Sequence, residues 1–339
     1  MNKKIIFRAD GNANTGLGHM YRLFAIIEMI KDTYDYIFLT REMSNIEIIP
    51  EAYHRSIIPK EINIKEEPAW LASKFSPSEH VLFADGYQFD TSYQKEIKNA
   101  GYKMIYVDDL TSEYMYADAV INHSPLLTTS NFKGERYTNY YLGTDYAILR
   151  PSFLEATKRK RNITSFDKAF ICFGGADTYD FSTKAAEALI TFAVIKEIHI
   201  VQGAANRHDS LEGLANNHQD HVFLHKNLNE TQFVDLISNC NIAIAPASTV
   251  LYELCCIQVP VLSGFFIDNQ ELIYNGFKNN KAIYPMGDLK GFTSATFKSY
   301  LRAFFEQDDF EEMLTAQHQL FDINIKKRHL KIIESLCQP

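Results

Sequence analysis

The 339-residue sequence predicts an α/β protein of two doubly wound domains, and three observations carry the prediction. Short apolar runs of β type alternate with amphipathic helical stretches along the chain, which is the pattern of βαβ units. Many of those runs have no polar alternation, as expected of strands buried on both faces of a parallel sheet. The length suits two domains of ordinary size.

In the first half the predicted strands are KIIFRA (4–9), YIFLT (36–40), HVLFAD (80–85), KMIYVD (103–108) and AVIN (119–122). In the second half they are AFICF (169–173), EIHIVQ (197–202), HVFLH (221–225), IAIAP (242–246) and VPVLS (259–263). Between the first two lies a helix over 20–31, with Met20, Leu23, Phe24, Ile27 and Ile30 on one face. The domain boundary belongs in 151–167, where Pro151 and the basic, polar run Lys158–Asn162 precede a new strand–glycine–helix unit. This gives a first domain at 1–155 and a second at 165–322. A last segment, 323–339, is helical over about 323–336 and is placed to pack back on the first domain. Neither repeats nor low-complexity stretches interrupt the pattern.

Composition narrows the function. Hydrophobic residues make up 46% and charged residues 22%, ordinary for a globular chain, and the net charge is −8. An acidic chain is poorly suited to nucleic acid or an anionic membrane, so an anionic ligand must be held by backbone amides, helix termini and a few side chains. The five cysteines are odd in number, form no C-x-x-C pair, and include the vicinal Cys255–Cys256 in an apolar run. This speaks against a disulfide framework and a zinc site. The N-terminal apolar stretch is too short for a signal peptide, and no run reaches the length of a membrane span. The expectation is a cytoplasmic protein, monomeric, without metal or cofactor.

Three segments carry chemistry. In FRADGNANTGLGHMYR (7–22), a buried strand ends at Asp10, a loop with Gly11, Gly16 and Gly18 follows, and His19 sits where a helix begins. Such loops let a ligand approach the backbone and the helix N-terminal amides. The spacing is not the dinucleotide G-x-G-x-x-G, and no acidic residue obviously ends the second strand, which weakens a dehydrogenase reading. A helix N-terminus favours a neutral imidazole, the form a general base needs; equally, His19 could cap the helix or make a polar contact to substrate.

In AFICFGGADTYD (169–180), Gly174 and Gly175 could let a phosphate approach, and Asp177 or Thr178 could cap the next helix; a tight turn without ligand is the plainer reading. In NIAIAPASTVLYELCCIQVPVL (241–262), Ser248 and Thr249 offer hydroxyls and amides at a helix start, and Glu253 lies about one turn on. Glu253 could accept from a ribose diol or simply face solvent, and Ser248 could be a plain N-cap. Asn269 and Gln270 begin a further helix beside the same strand ends. Asp108–Asp109 follows a strand and could be a metal-binding pair or equally a capping and turn pair, with no histidine spaced to complete a ligand set; Asp85 and Tyr87 end a strand at the side where open sheets bind ligands. His123, His221 and His225 read as structural or surface residues.

Together, FRADGNANTGLGHMYR, YLGTDYAILRPSF, FICFGGAD, ASTVLYELCCIQVPVL and DNQ, in this order over about 5–270, resemble a known family. They are similar to the UDP-2,4-diacetamido-2,4,6-trideoxy-β-L-altropyranose hydrolases of pseudaminic acid biosynthesis and to related spore-coat polysaccharide proteins. A more distant likeness is to the GT-B transferase that adds N-acetylglucosamine to the peptidoglycan lipid precursor. The resemblance implies the GT-B fold, two Rossmann-like domains facing across a cleft, and a metal-independent hydrolysis of a UDP-sugar to UDP and free sugar.

It also implies roles. His19 would activate water at the anomeric carbon, and Asp10 and Gly18 would shape the loop around sugar and diphosphate. Gly174, Gly175, Ser248 and Thr249 would cradle the diphosphate, Glu253 would bind the nucleotide, and Asn269 with Gln270 would touch sugar or phosphate. Tyr146 and Arg150 match the segment closing the first domain. Two departures, Ala247 where many relatives have Gly and Met20-Tyr21 after the histidine, leave the sugar open. The same nucleotide site would serve a UDP-sugar transferase for surface polysaccharide, a non-hydrolysing epimerase, or a non-catalytic UDP-sugar-binding subunit.

Overall fold

The computed structural model describes residues 3–12, 16–203, 206, 208–307 and 310–338. Part of the first glycine loop, 13–15, and the last residue of the segment 323–339 therefore lie outside the described residues. The chain divides into two compact units, Met1–Pro151 with Asn324–Pro339, and Ser152–Ile323.

In the first stretch come β1 (Lys4–Arg8), α1 (Gly18–Ile30), β2 (Tyr36–Arg41), β3 (Arg55–Ile58), α2 (Glu67–Lys74), β4 (His80–Asp85), α3 (Thr91–Asn99) and β5 (Lys103–Val107). They are followed by β6 (Tyr114–Met115), β7 (Ala119–Asn122), β8 (Lys133–Gly134) and β9 (Asn139–Leu142). Seven of these strands form one parallel sheet in the order β3-β2-β1-β4-β5-β7-β9. The order runs outward from β1, reverses, and continues from β4, which puts a topological switch point between β1 and β4.

The second unit continues with α4 (Pro151–Ala156), β10 (Lys168–Ile171), α5 (Phe181–Ile190), β11 (Glu197–Val201), α6 (Asp209–Asn217), β12 (Val222–His225), α7 (Glu230–Asn239) and β13 (Ile242–Pro246). Then come α8 (Thr249–Cys256), β14 (Val261–Phe265), α9 (Asp268–Asn279), β15 (Tyr284–Asp288), α10 (Ser294–Phe305) and α11 (Phe310–Leu320). Its parallel sheet has the order β12-β11-β10-β13-β14-β15, so a second switch point lies between β10 and β13. The last helix, α12 (Ile325–Cys337), returns to the first unit and packs on α1 and the short turn Thr144–Tyr146.

The strands that lack polar alternation are those buried on both faces: every residue of β4, β7 and β13 is buried. α1 buries more than the expected stripe, with Arg22, Ala25, Ile26 and Met29 buried beside Met20, Leu23, Phe24, Ile27 and Ile30, because α12 covers a second flank. All five cysteines are buried and unbridged, and burial pushes the Cys172 and Cys240 thiols up to about 12. Among the described residues, no helix is long and apolar enough to cross a membrane.

Candidate active site

Two polar networks sit at the C-terminal end of the first sheet, both at its switch point. The first joins Arg8 and Asp10 of the FRADG segment. Arg8 ends β1 fully buried and grips Asp10 with two bonds, Nη1 to Oδ1 at 2.6 Å and Nη2 to Oδ2 at 2.8 Å. Its Nε donates to the buried carboxylate of Glu67 at 2.7 Å, and Arg41 and the Tyr93 hydroxyl donate to the same carboxylate at 2.6 and 2.8 Å. Asp10 also accepts from the Arg41 backbone amide at 2.8 Å, the Thr40 hydroxyl at 3.0 Å and Gln88 Nε2 at 3.1 Å. Burial alone would raise the Asp10 carboxyl, but Arg8 and these donors hold it below the ordinary carboxylate range. With so many donors, Asp10 is placed to anchor the start of the glycine loop.

The second network surrounds His19, in the first turn of α1. His19 Nδ1 lies 2.7 Å from Oδ1 of Asp85, which ends β4 and is fully buried. Arg22, one turn further along α1, forks onto Asp85 through Nε (2.8 Å to Oδ2) and Nη2 (2.7 Å to Oδ1). The same guanidinium forks onto Asp109 through Nη1 (2.7 Å) and Nη2 (2.8 Å). Tyr87 stands edge-on to the His19 ring, centroids 4.7 Å apart.

For a neutral His19 this geometry favours the tautomer with its proton on Nδ1. Arg22 Nη2 also lies 2.9 Å from His19 Nδ1, but its two hydrogens are directed at Asp85 Oδ1 and Asp109 Oδ2. No hydrogen remains for Nδ1, so Nδ1 carries its own proton and donates it to Asp85. In a neutral ring the lone pair is then on Nε2, as in a histidine oriented by a buried carboxylate. Burial on its own would raise Asp109, yet the Arg22 charge and its hydrogen bonds hold the carboxyl down at about 2. Its neighbour Asp108 turns the other way, accepts from the Thr111 amide at 2.9 Å, and is pushed up to about 6 by burial. His123, at the C-terminal side of β7, is buried and accepts from the Ile148 amide at 3.3 Å; burial, reinforced by the Arg22 charge, lowers it to about 4.

Gly18 opens α1 without a side-chain cap, and a Cβ there would meet no atom within 4 Å. Internal packing gives no reason for glycine at that exposed position. Gly175, in the loop after β10, has the same character, whereas Gly174 beside it has φ +78°, which favours glycine in its own right. A Cβ on Gly203, after β11, would lie 2.3 Å from the carbonyl oxygens of both Gly174 and Gly175, so the two loops touch backbone to backbone.

The N-terminus of α5 is already occupied. Asp177, at φ +45°, accepts from the amides of Phe181 at 2.8 Å and Ser182 at 2.9 Å. An anion at Gly174–Gly175 would thus be held by the loop and not by this helix end. α8 differs: Ser248 is its N-cap and makes no side-chain capping bond, and Ser248 and Thr249 are partly exposed at the end of β13. Glu253, one turn in, is 8% exposed. Gln270 is buried and uses Oε1 to accept from the Phe266 amide at 3.1 Å, while Asn269 is partly buried.

In the first unit, Tyr146 packs edge-on to Tyr141 and to His329 of α12, and Arg150 precedes α4, partly buried. The sequence reading singled out His19 and Asp10, and each heads a separate network; Arg8, Arg22 and Glu67 carry no role there, and Asp109 is offered as half of a metal-binding or of a turn pair. Among the described residues, no three His, Cys, Asp or Glu side chains are placed to hold a metal ion together.

Two parallel six- and seven-stranded sheets with these strand orders define a class, the GT-B fold, and comparison with solved structures agrees. MurG of Acinetobacter baumannii matches with a TM-score of 0.68 at 11% identity, covering 98% of this chain and 99% of that one. The spinosyn rhamnosyltransferase SpnG matches at 0.63 and 12%, covering 98% and 99%. By sequence, the chain is similar to the UDP-2,4-diacetamido-2,4,6-trideoxy-β-L-altropyranose hydrolase of Campylobacter jejuni, 27% identical over 79% of this chain and 93% of the relative. It is also similar to the spore coat polysaccharide biosynthesis protein SpsG of Bacillus subtilis, 23% identical over 82% of each. An uncharacterized protein of Methanocaldococcus jannaschii is 24% identical over 81% of this chain, which spans only 58% of that longer relative. No family model matches the chain.

Proposed function

We propose that the protein hydrolyses a UDP-sugar, with UDP-2,4-diacetamido-2,4,6-trideoxy-β-L-altropyranose as the first candidate, to UDP and the free sugar. The observation that carries this reading is His19: its Nδ1 lies against the buried Asp85 carboxylate, which leaves Nε2 as the nitrogen able to act as a base. Water attacks the anomeric carbon and gives a proton to Nε2. The bond from that carbon to the diphosphate oxygen breaks, and its electron pair leaves with UDP. The imidazolium formed on His19 is balanced by Asp85, whose carboxylate already accepts from Nδ1.

The second unit holds the nucleotide in this reading. Gly174, Gly175, Ser248 and Thr249 receive the diphosphate, and Glu253 binds the nucleotide. The open Cβ positions at Gly18 and Gly175 and the uncapped start of α8 support it, since each leaves backbone accessible without serving the fold. Gln270 has a structural duty, so its ligand contact would come from Nε2. Asp10 acts by fixing the loop. Diphosphate is an acidic leaving group needing little protonation, so the proposed route uses no metal.

The experiment is UDP release from that UDP-sugar in EDTA without any acceptor. Release of UDP with stoichiometric free sugar, lost by about 10²–10⁴-fold in His19→Ala while UDP still binds, is the expected result. UDP binding without release overturns hydrolysis and points to a GT-B transferase, the activity named for SpnG.

A further inference from the structure

Arg22 is buried between two carboxylates, Asp85 and Asp109, beside the His19 ring. The charges facing His19 come from three elements: Arg22 on α1, Asp85 at the end of β4, and Asp109 after β5. Around them, Tyr87 presents its ring edge, and its hydroxyl is 3.4 Å from Asp109 Oδ2. His123 behind Arg22 is neutral above about pH 4, and Asp108 is engaged with its own turn.

A lone Asp85 beside His19 would strongly favour the imidazolium, since an opposite charge within reach stabilises the charged form. An overly basic histidine is protonated at neutral pH and cannot accept a proton from water. Arg22 forks onto Asp85 and offsets that pull. Asp109 forks onto Arg22 and offsets Arg22 in turn. The net charge facing His19 is one negative, and because Arg22 lies nearer the ring than Asp109 the pull on an imidazolium is weaker than that of Asp85 alone. The dependence runs both ways: the Asp109 carboxyl is lowered by His19 as well as by Arg22.

We propose that Arg22 and Asp109 are a positioning pair that sets the proton affinity of His19 through the shared Asp85 carboxylate, and so the pH at which the base works. This rests on the reading of His19 as the base, but its test does not need substrate. The imidazole of His19 is titrated by NMR in the full-length wild type, in Asp109→Asn, in Arg22→Met and in the double variant. Removing Asp109 leaves zero net charge facing the ring, and His19 should titrate about one pH unit lower. Removing Arg22 leaves two negative charges, and His19 should titrate about one unit higher. The double variant leaves Asp85 alone beside the ring and should titrate above wild type but below Arg22→Met, because the Arg22 charge is nearer the ring than that of Asp109.

A purely structural role for the pair predicts no such opposed shifts. Shifts of the same sign, or of less than about 0.3 unit in both single variants, overturn the proposal. Arg22→Met strips a buried cation from two carboxylates; if it does not fold, the nearly isosteric Asp109→Asn decides alone by the presence or absence of its downward shift. UDP release measured on the same proteins separates the two readings. Opposed titration shifts without any UDP-sugar hydrolysis keep the tuning pair and sink the hydrolase. Hydrolysis with an unmoved His19 keeps the hydrolase and sinks the pair.

Discussion

Replacing Asp85 by asparagine removes one unit of charge at nearly constant shape. The carboxylate now takes three donors, His19 Nδ1 at 2.7 Å, Arg22 Nε at 2.8 Å and Arg22 Nη2 at 2.7 Å. An amide offers one oxygen to them. If that oxygen stays near Nδ1, His19 keeps its tautomer but meets a neutral partner when Nε2 gains a proton. If the oxygen turns to Arg22 Nε, the amide N–H faces Nδ1 and drives the proton to Nε2, which removes the base altogether. Either way the attraction between imidazolium and carboxylate is lost. With the two charge centres about 4 Å apart and an effective dielectric constant of about 20, that attraction is about 4 kcal/mol. The expected loss is roughly a thousandfold in kcat, with KM little changed because the effect arises as charge develops. Initial rates of UDP release give the number, and the imidazole nitrogen chemical shifts report which tautomer is present. Arg22 remains clasped by Asp109, so the melting temperature should fall by only a few degrees. A kcat within tenfold of wild type for Asp85→Asn refutes the reasoning.

Three further outcomes are expected. Glu67→Gln leaves Arg8 and Arg41 without the buried charge they share, and should lower stability by about 3 kcal/mol in denaturant melts; an unchanged midpoint would show that Asp10 alone suffices. Gly203→Ala drives a Cβ into the carbonyls of Gly174 and Gly175, so calorimetry should find UDP bound about tenfold more weakly; unchanged affinity would remove that loop from the nucleotide site. Acidification should destabilise the fold between about pH 6.5 and 4. Burial lowers His123 and His329 to about 4, so in that window the unfolded chain binds more protons at these sites and stability is lost as pH falls. Asp108, raised to about 6, opposes this over part of the range. His329→Gln preserves a donor for the Ala147 carbonyl and should flatten the acid limb; the same limb in wild type and variant would exclude His329 as its source.

The strands buried on both faces were the legible ones. HVLFAD, AVIN and IAIAP begin and end where the sequence pattern puts them, because a fully buried strand reads as an unbroken apolar run. β3, β9 and β15 escaped notice. RSII and NYYL are short and partly exposed, and β15, YPMGD, is an edge strand carrying both proline and glycine. In the site, His19 was visible because a glycine loop delivers it to a helix start, and Asp85 because it ends an apolar strand. Arg22 was not, since within α1 it reads as an interruption in an apolar face. Its spacing of one turn from His19 was the available signal. Asp109 lay hidden for a different reason: its partner is 87 residues away, and only the sheet order brings them together. Asp108 next to it does serve the turn, which made the pair look uniform.

The return of α12 to the first unit bears on the order in which the chain is made. Residues 152–323 are synthesised between the bulk of the first unit and the helix that completes it. At about 5–20 residues per second, the ribosome takes roughly 10–30 s to cross that interval. During this time the second unit can close on its own sequence, while the flank of α1 that α12 will cover stays bare. α1 is the helix that carries His19 and Arg22, so the unit that holds them is completed only after the second unit has been made.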